Sequence, residues 1–159
     1  MMNLKPLNKK AIKEILKKIK KQFSTDSFSL DHIFYMSSDK KIFIISKKIA
    51  EVDLSVFNIN NIGLYFGTIE NDGFRLSIEG SQIIAKLAKK NILEINRSDL
   101  LKWYQGENIL LNSLYKNEYV ILKYKNDILG CGKIKNNSIL NYVDKGRRIK
   151  SPNAYYLEI

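Results

Sequence analysis

Glycine turns alternate with short β-rich runs through the last third of the chain, and that alternation restricts this region to a small, tightly turned β architecture. Tyr104-Gln105-Gly106-Glu107-Asn108-Ile109 is followed by Leu129-Gly130-Cys131-Gly132-Lys133, and then by Lys145-Gly146-Arg147-Arg148-Ile149-Lys150. Short runs bounded by turn residues read as strands of a small barrel-like sheet. No group suited to covalent chemistry stands among them. The basic cluster that closes the region points to binding rather than catalysis.

The 159 residues are enough for one ordinary domain or two small ones. A hydrophobic content of 45% is enough for a packed core. Lys and Arg number 27 against 16 Asp and Glu, and the net charge of +11 fits a polyanionic partner. Lys, Asn and Ile are abundant together, as an AT-rich genome would favour, so where the charge sits matters more than its total. Cys131 is the single cysteine and His32 the single histidine. Neither an internal disulfide nor a zinc or other metal site is expected from them. No run of about 18 apolar residues is present, so no membrane span is expected. The N-terminus has no apolar signal-peptide core, and its Lys-rich, Arg-free start is unlike a transit peptide, so a cytoplasmic location is expected.

Along the chain, Ile12, Ile15, Leu16, Ile19 and Phe23 fall at helical spacing, and Asn8 can cap a helix running to Gln22. Its opposite face carries Lys10, Lys13, Lys17, Lys18, Lys20 and Lys21. Such a face is either simply solvated or a non-specific contact to phosphate or membrane. Residues 33–37 and 42–46 read as strands, 47–57 as a short helix and 62–69 as a strand. Asn71-Asp72-Gly73 is a strong hairpin signal leading into a returning strand at 74–77. A helix opened by Ser77 or Glu79 is expected to run to Lys90. After a boundary near Asn91, a strand at 92–95 is followed by residues 96–99, which offer caps for a short helix that stops at Gly106. Residues 109–111 are a short strand, and 119–125 and 128–134 form a hairpin. Strands at 139–143 and 147–149 are expected to finish the sheet.

Two sets of residues carry a family resemblance. Phe43-Ile44-Ile45-Ser46-Lys47-Lys48-Ile49, Leu64-Tyr65-Phe66-Gly67 and Phe74-Arg75-Leu76 lie in the front half. Tyr104-Gln105-Gly106-Glu107-Asn108 and Ile128-Leu129-Gly130-Cys131-Gly132 lie in the back half. From Asn91 onward the chain resembles a PUA domain, and as a whole it resembles the Nip-seven family of ribosome-biogenesis factors. It lacks the Pro-Gly pair common in PUA domains between Asn108 and Tyr119, its return from Ile134 to Tyr142 is short, and its tail from Ser151 has no clear counterpart. The resemblance implies an α+β chain: a small N-terminal α/β domain at 1–90 packed on a C-terminal PUA-type pseudo-β-barrel at 91–159. It implies a non-enzymatic role in large-subunit assembly, with RNA and assembly proteins as partners and no cofactor. The length, the lack of a compartment signal and the Lys/Ile bias suggest an archaeal or similarly simple cytoplasm. DNA is not expected as a ligand.

The candidate RNA contacts are Lys133, Lys135, Lys145, Arg147, Arg148 and Lys150, with Tyr104 and Lys102 beside Gly106. On a strand, Arg148 and Lys150 would share one face and Arg147 would project from the other. Arginine matches phosphate oxygens with a planar fork, and lysine offers a point charge. Lys133 and Lys135 would point the same way and could join the 145–150 cluster in one basic surface. That cluster could equally be an edge strand kept soluble by charge. Tyr104 can stack on an unpaired base, which favours single-stranded RNA, whereas Trp103 reads as core. Two other roles stay open. One is a protein-binding adaptor presenting an apolar patch near Ile49, Val52 and Val56. The other is a non-catalytic RNA-binding subunit of an RNA-modification enzyme.

Overall fold

A computed structural model describes residues 4–52 and 63–150 of the chain. The expected helical continuation to Phe57, the break at 58–61, Val56 and the 151–159 tail lie outside these residues.

The front half is an antiparallel sheet in sequential order, β1 (Leu4–Pro6), β2 (His32–Ser37), β3 (Lys41–Ser46), β4 (Leu64–Glu70) and β5 (Gly73–Leu76). Helix α1 (Lys9–Phe23) packs its apolar stripe on this sheet, burying Ile15, Ile19 and Phe23. Asn8 caps α1 as the sequence predicts, its side chain accepting the Ala11 amide at 2.9 Å. The helix ends at Ser24, whose φ of 50° takes the backbone into the left-handed region. Near that end, Gln22 serves the edge strand β5. Its amide nitrogen donates to the Phe74 carbonyl (2.8 Å), and its amide oxygen accepts the Phe74 N–H (3.0 Å). An edge strand's unpaired backbone groups are thereby satisfied without exposing them to another chain.

Helix α2 (Ile78–Ala85) starts at Ser77, whose hydroxyl accepts the Gly80 amide (2.8 Å) and donates to the Tyr65 carbonyl (2.5 Å). It stops short of the expected Lys90. The amides of Lys89 and Lys90 turn instead to the Phe23 carbonyl at the end of α1 (2.9 and 3.2 Å). That tertiary bond overrides the continuing helical periodicity. Likewise, the stretch after β3 is a 3-10 helix, Lys47–Glu51, rather than the start of an α-helix.

Asn91, with φ of 59°, joins the two sheets. Its side-chain amide donates to the Gln22 carbonyl (2.8 Å) and to Glu118 (2.9 Å). The second sheet is β6 (Ile92–Glu94), β7 (Ile109–Leu110), β8 (Tyr119–Tyr124), β9 (Asp127–Lys135) and β10 (Ser138–Leu140), in spatial order β6-β8-β9-β10-β7. Only β6 and β8 run parallel. Helix α3 (Arg97–Gln105) is capped by Asn96, which accepts the Asp99 amide at 2.9 Å. It ends at Gly106, whose φ of 83° suits glycine.

The run Tyr119-Val120-Ile121-Leu122 explains why the halves pack as one body. Tyr119 and Ile121 join the front-half core with Cys131, while Val120 and Leu122 join the back-half core with Trp103, Leu100 and Ile139. A strand covered on both faces reads as a continuous apolar run. Cys131 is a small buried hydrophobe in this arrangement, and burial pushes its thiol up to about 12. The overall class is α+β with a barrel-like C-terminal unit, as expected.

The end of the chain departs from the expected strands. β10 closes at Leu140 rather than Val143, and residues 145–147 form a 3-10 turn instead of leading into a strand. Asp144 drives that turn, its carboxylate accepting the Gly146 amide at 2.9 Å. Ile149 then donates its amide to the Tyr104 carbonyl (2.9 Å), so the basic segment is anchored to the end of α3, not to a sheet edge.

Candidate nucleic-acid interface

The 3-10 turn places Arg147 between two adjoining clefts, of about 410 and 780 Å³. Ile78, Trp103, Val143 and Arg147 line both. The first cleft lies between the sheets and gathers Lys41, Arg75 and Arg147 with Tyr65 and Tyr142. The second runs past Gln82 of α2 and Lys86 just after it to Tyr104 and Asp127. Cations beside aromatic rings, in a concave surface, can hold a phosphate and stack a base.

Arg147 donates to Glu79 at 2.7 Å, yet about half of its side chain stays exposed. This ion pair fixes the guanidinium at the start of α2 while leaving donors free for a phosphate. Arg75 lies 4.5 Å over the Tyr142 ring and pairs with Glu70 at 2.9 Å. Burial works against the Arg75 charge, but Glu70 together with Tyr65 and Tyr142 outweighs it and raises the group above its ordinary value. Tyr104 is half-buried against the back-half core, and burial with nearby Asp127 raises its hydroxyl, so the ring is neutral at physiological pH.

The remaining sequence-selected residues do not all gather here. Arg148 and Lys150 do not share a strand face, because the segment is not a strand. The Arg148 Nε donates to the Val143 carbonyl (3.0 Å), and its side chain lies across Gly106, where any added Cβ would fall 2.2 Å from Nε. Arg148 therefore braces the end of α3. Lys150 and Lys145 are exposed beside Arg147. Lys102 pairs with Asp99 at 3.2 Å. Lys133 faces the front half and not the expected basic surface. It pairs with Asp72 of the β4–β5 turn and sits 5.1 Å over the Tyr119 ring. Lys133 also holds the Asp72 carboxyl below its usual range. Lys135 is exposed at the end of β9. Trp103 is core, as the sequence implied, its indole N–H donating to the Leu129 carbonyl at 3.4 Å.

Lys41, Arg75, Tyr142 and Lys86 were not selected from the sequence. Arg75 carried a signal: it alternates with Phe74 and Leu76, both buried, so it had to face away from the front-half core. Nothing local places Tyr142 against it. Val52 of the proposed adaptor patch is exposed and Ile49 is half-buried. Among the described residues no group of His, Cys, Asp and Glu could hold a metal ion, and no helix is long and apolar enough to cross a membrane.

Residues 90–149 match the family model described as the Methyltransferase RsmF PUA domain. The second sheet, α3 and the basic turn are therefore a PUA domain, a fold that implies RNA binding. The match begins at residue 90 and leaves the front half outside it. No curated protein matches the chain.

Proposed function

We propose that this protein is a non-enzymatic RNA-binding factor of ribosome biogenesis, akin to the Nip-seven family, acting through its PUA domain. Its RNA is single-stranded where it enters the clefts around Arg147, with Arg147, Lys145 and Lys150 on phosphates and Tyr104 under a base. The front half supplies the surface for assembly proteins. The observation that carries this reading is the PUA match over residues 90–149, which include Tyr104, Lys145 and Arg147 and end just before Lys150. The protein is expected to work in the cytoplasm.

Binding of short single-stranded RNAs across a salt series tests it, with Lys145→Gln/Arg147→Gln/Lys150→Gln alongside. Arg148 is left in place because it braces Val143 and Gly106. The variant should bind more weakly, and its salt slope should fall by about 2, at about 0.7 per single-strand phosphate contact. Unchanged affinity and slope in the folded variant would contradict the assignment.

A second reading has its own support. The matching model is the PUA domain of a methyltransferase, which favours an RNA-binding companion of an RNA-modification enzyme. Co-purification separates the two: ribosomal precursor particles fit the first role, and an RNA methyltransferase fits the second.

A further inference from the structure

Helix α1 carries a charge arrangement that folding does not explain. Its fifteen residues hold seven lysines and one glutamate, a net +6 out of the chain's +11. Lys9 and Lys10 stand in a first turn with no acidic residue, against the helix dipole. Lys9, Lys13, Lys17 and Lys21 are spaced four apart, so each neighbouring pair repels. Elsewhere in the described structure Lys41, Lys47, Lys89, Lys102, Lys123 and Lys133 each stand against a carboxylate. In the described structure no lysine of α1 forms an ion pair; Lys20 donates to the Ser27 hydroxyl and adds to the pull of Lys89 on the Asp26 carboxylate.

The geometry orders these charges. Ile15, Ile19 and Phe23 are buried, and at about 100° per residue Lys10, Lys13, Lys17 and Lys21 fall in one stripe on the opposite side. The stripe is about 16 Å long at about 1.5 Å per residue. At its far end Lys18 and Lys21 line a cleft of about 410 Å³ with Lys90, where the front half meets the PUA domain.

We propose that this stripe is a second RNA contact that holds the phosphate backbone of a duplex. The inference rests on the RNA-binding reading above. The stripe presents neither an aromatic ring for stacking nor an arginine fork, so it suits a continuous row of phosphates rather than splayed bases. An acidic membrane shares the charge but not the fit, because the helix's apolar face is already committed to the core. A protein with two such sites would grip RNA at a junction, with duplex along α1 and the single strand at Arg147.

The test uses the full chain, a blunt RNA duplex and a short single-stranded RNA, each over a salt series. Lys10→Gln/Lys13→Gln/Lys17→Gln/Lys21→Gln should lower the salt slope on the duplex by about 3–4, at about 0.9 per phosphate contact. Its binding of the single strand should change little. Its melting temperature should equal or exceed that of the parent, because the substitutions relieve repulsion. Wild-type slope and affinity on the duplex would overturn the proposal, even if the Arg147 variant still loses the single strand. Wild-type binding to phosphatidylserine vesicles but not to the duplex, lost in the lysine variant, would also overturn it. Failure of the wild-type chain to bind either RNA would instead remove the RNA-binding reading itself.

Discussion

Trp103→Ala is expected to destabilise the protein by about 3–5 kcal/mol, the range for removing a large buried aromatic side chain. Trp103 is 1% exposed and belongs to the PUA core with Leu100, Ile109, Val120 and Ile139. Its ring also limits how β9 and β10 approach. A Cβ on Gly132 would meet the Trp103 ring at 3.2 Å and Ile139 at 2.4 Å, so glycine, indole and isoleucine fill one space between them. Truncating the indole leaves a cavity there and removes the bond to Leu129. Trp103 also lines both clefts, so the loss should loosen the floor of the candidate RNA site as well as the core. Urea denaturation followed by circular dichroism measures the difference. A loss below about 1 kcal/mol would mean that the core closes over the gap or is not packed as described.

Gly80→Ala should also destabilise, by about 1–3 kcal/mol or somewhat more, against the usual preference of helices for alanine. At an exposed helical site the same change stabilises by about 0.8–1 kcal/mol. Here a Cβ would lie 2.1 Å from the Phe66 carbonyl oxygen, a backbone atom of β4 that no side-chain rotation can move away. Helix α2 would have to lift from the sheet, breaking the Ser77 bonds to the Tyr65 and Phe66 carbonyls. Because α2 also supplies Glu79, the partner of Arg147, the displacement should reach the candidate RNA cleft. Gly146→Ala is the control. A Cβ there meets only a flexible Asp144 oxygen at 3.3 Å, so a small effect is expected. A stabilised Gly80→Ala protein would show that α2 does not press on β4.

The parts legible in the sequence are those fixed by local chemistry. Asn8 and the stripe from Ile12 to Phe23 specify α1, Gly106 ends α3 after a start within the cap residues 96–99, and Asn71-Asp72 makes the β4–β5 turn. What was misread depends on partners distant in the chain or on competing turn chemistry. Helix α2 ends early because Phe23 takes the amides of Lys89 and Lys90. The basic cluster leaves the strand pattern because Asp144 reaches the Gly146 amide, a turn signal that was present but outweighed by the run of Arg and Ile. For the candidate site, Arg147 and Tyr104 stand out in the sequence as a cation and an aromatic near glycines, and both line the clefts. Arg75 and Tyr142 become neighbours only because the two sheets share Tyr119, Ile121 and Cys131 in one core. Lys133 was assigned to the RNA surface because alternation gives its face but not what covers that face.

The most direct test of the central claim is a titration of the isotope-labelled chain with a short single-stranded RNA, followed by amide and indole NMR signals. The largest shifts should fall on Lys86, Tyr104, Arg147 and the Trp103 indole, which line the two clefts, and on Lys145 in the same turn as Arg147. Shifts confined to other surfaces of the PUA domain, or none at all under conditions where RNA binds, would contradict the assignment of that groove as the RNA site.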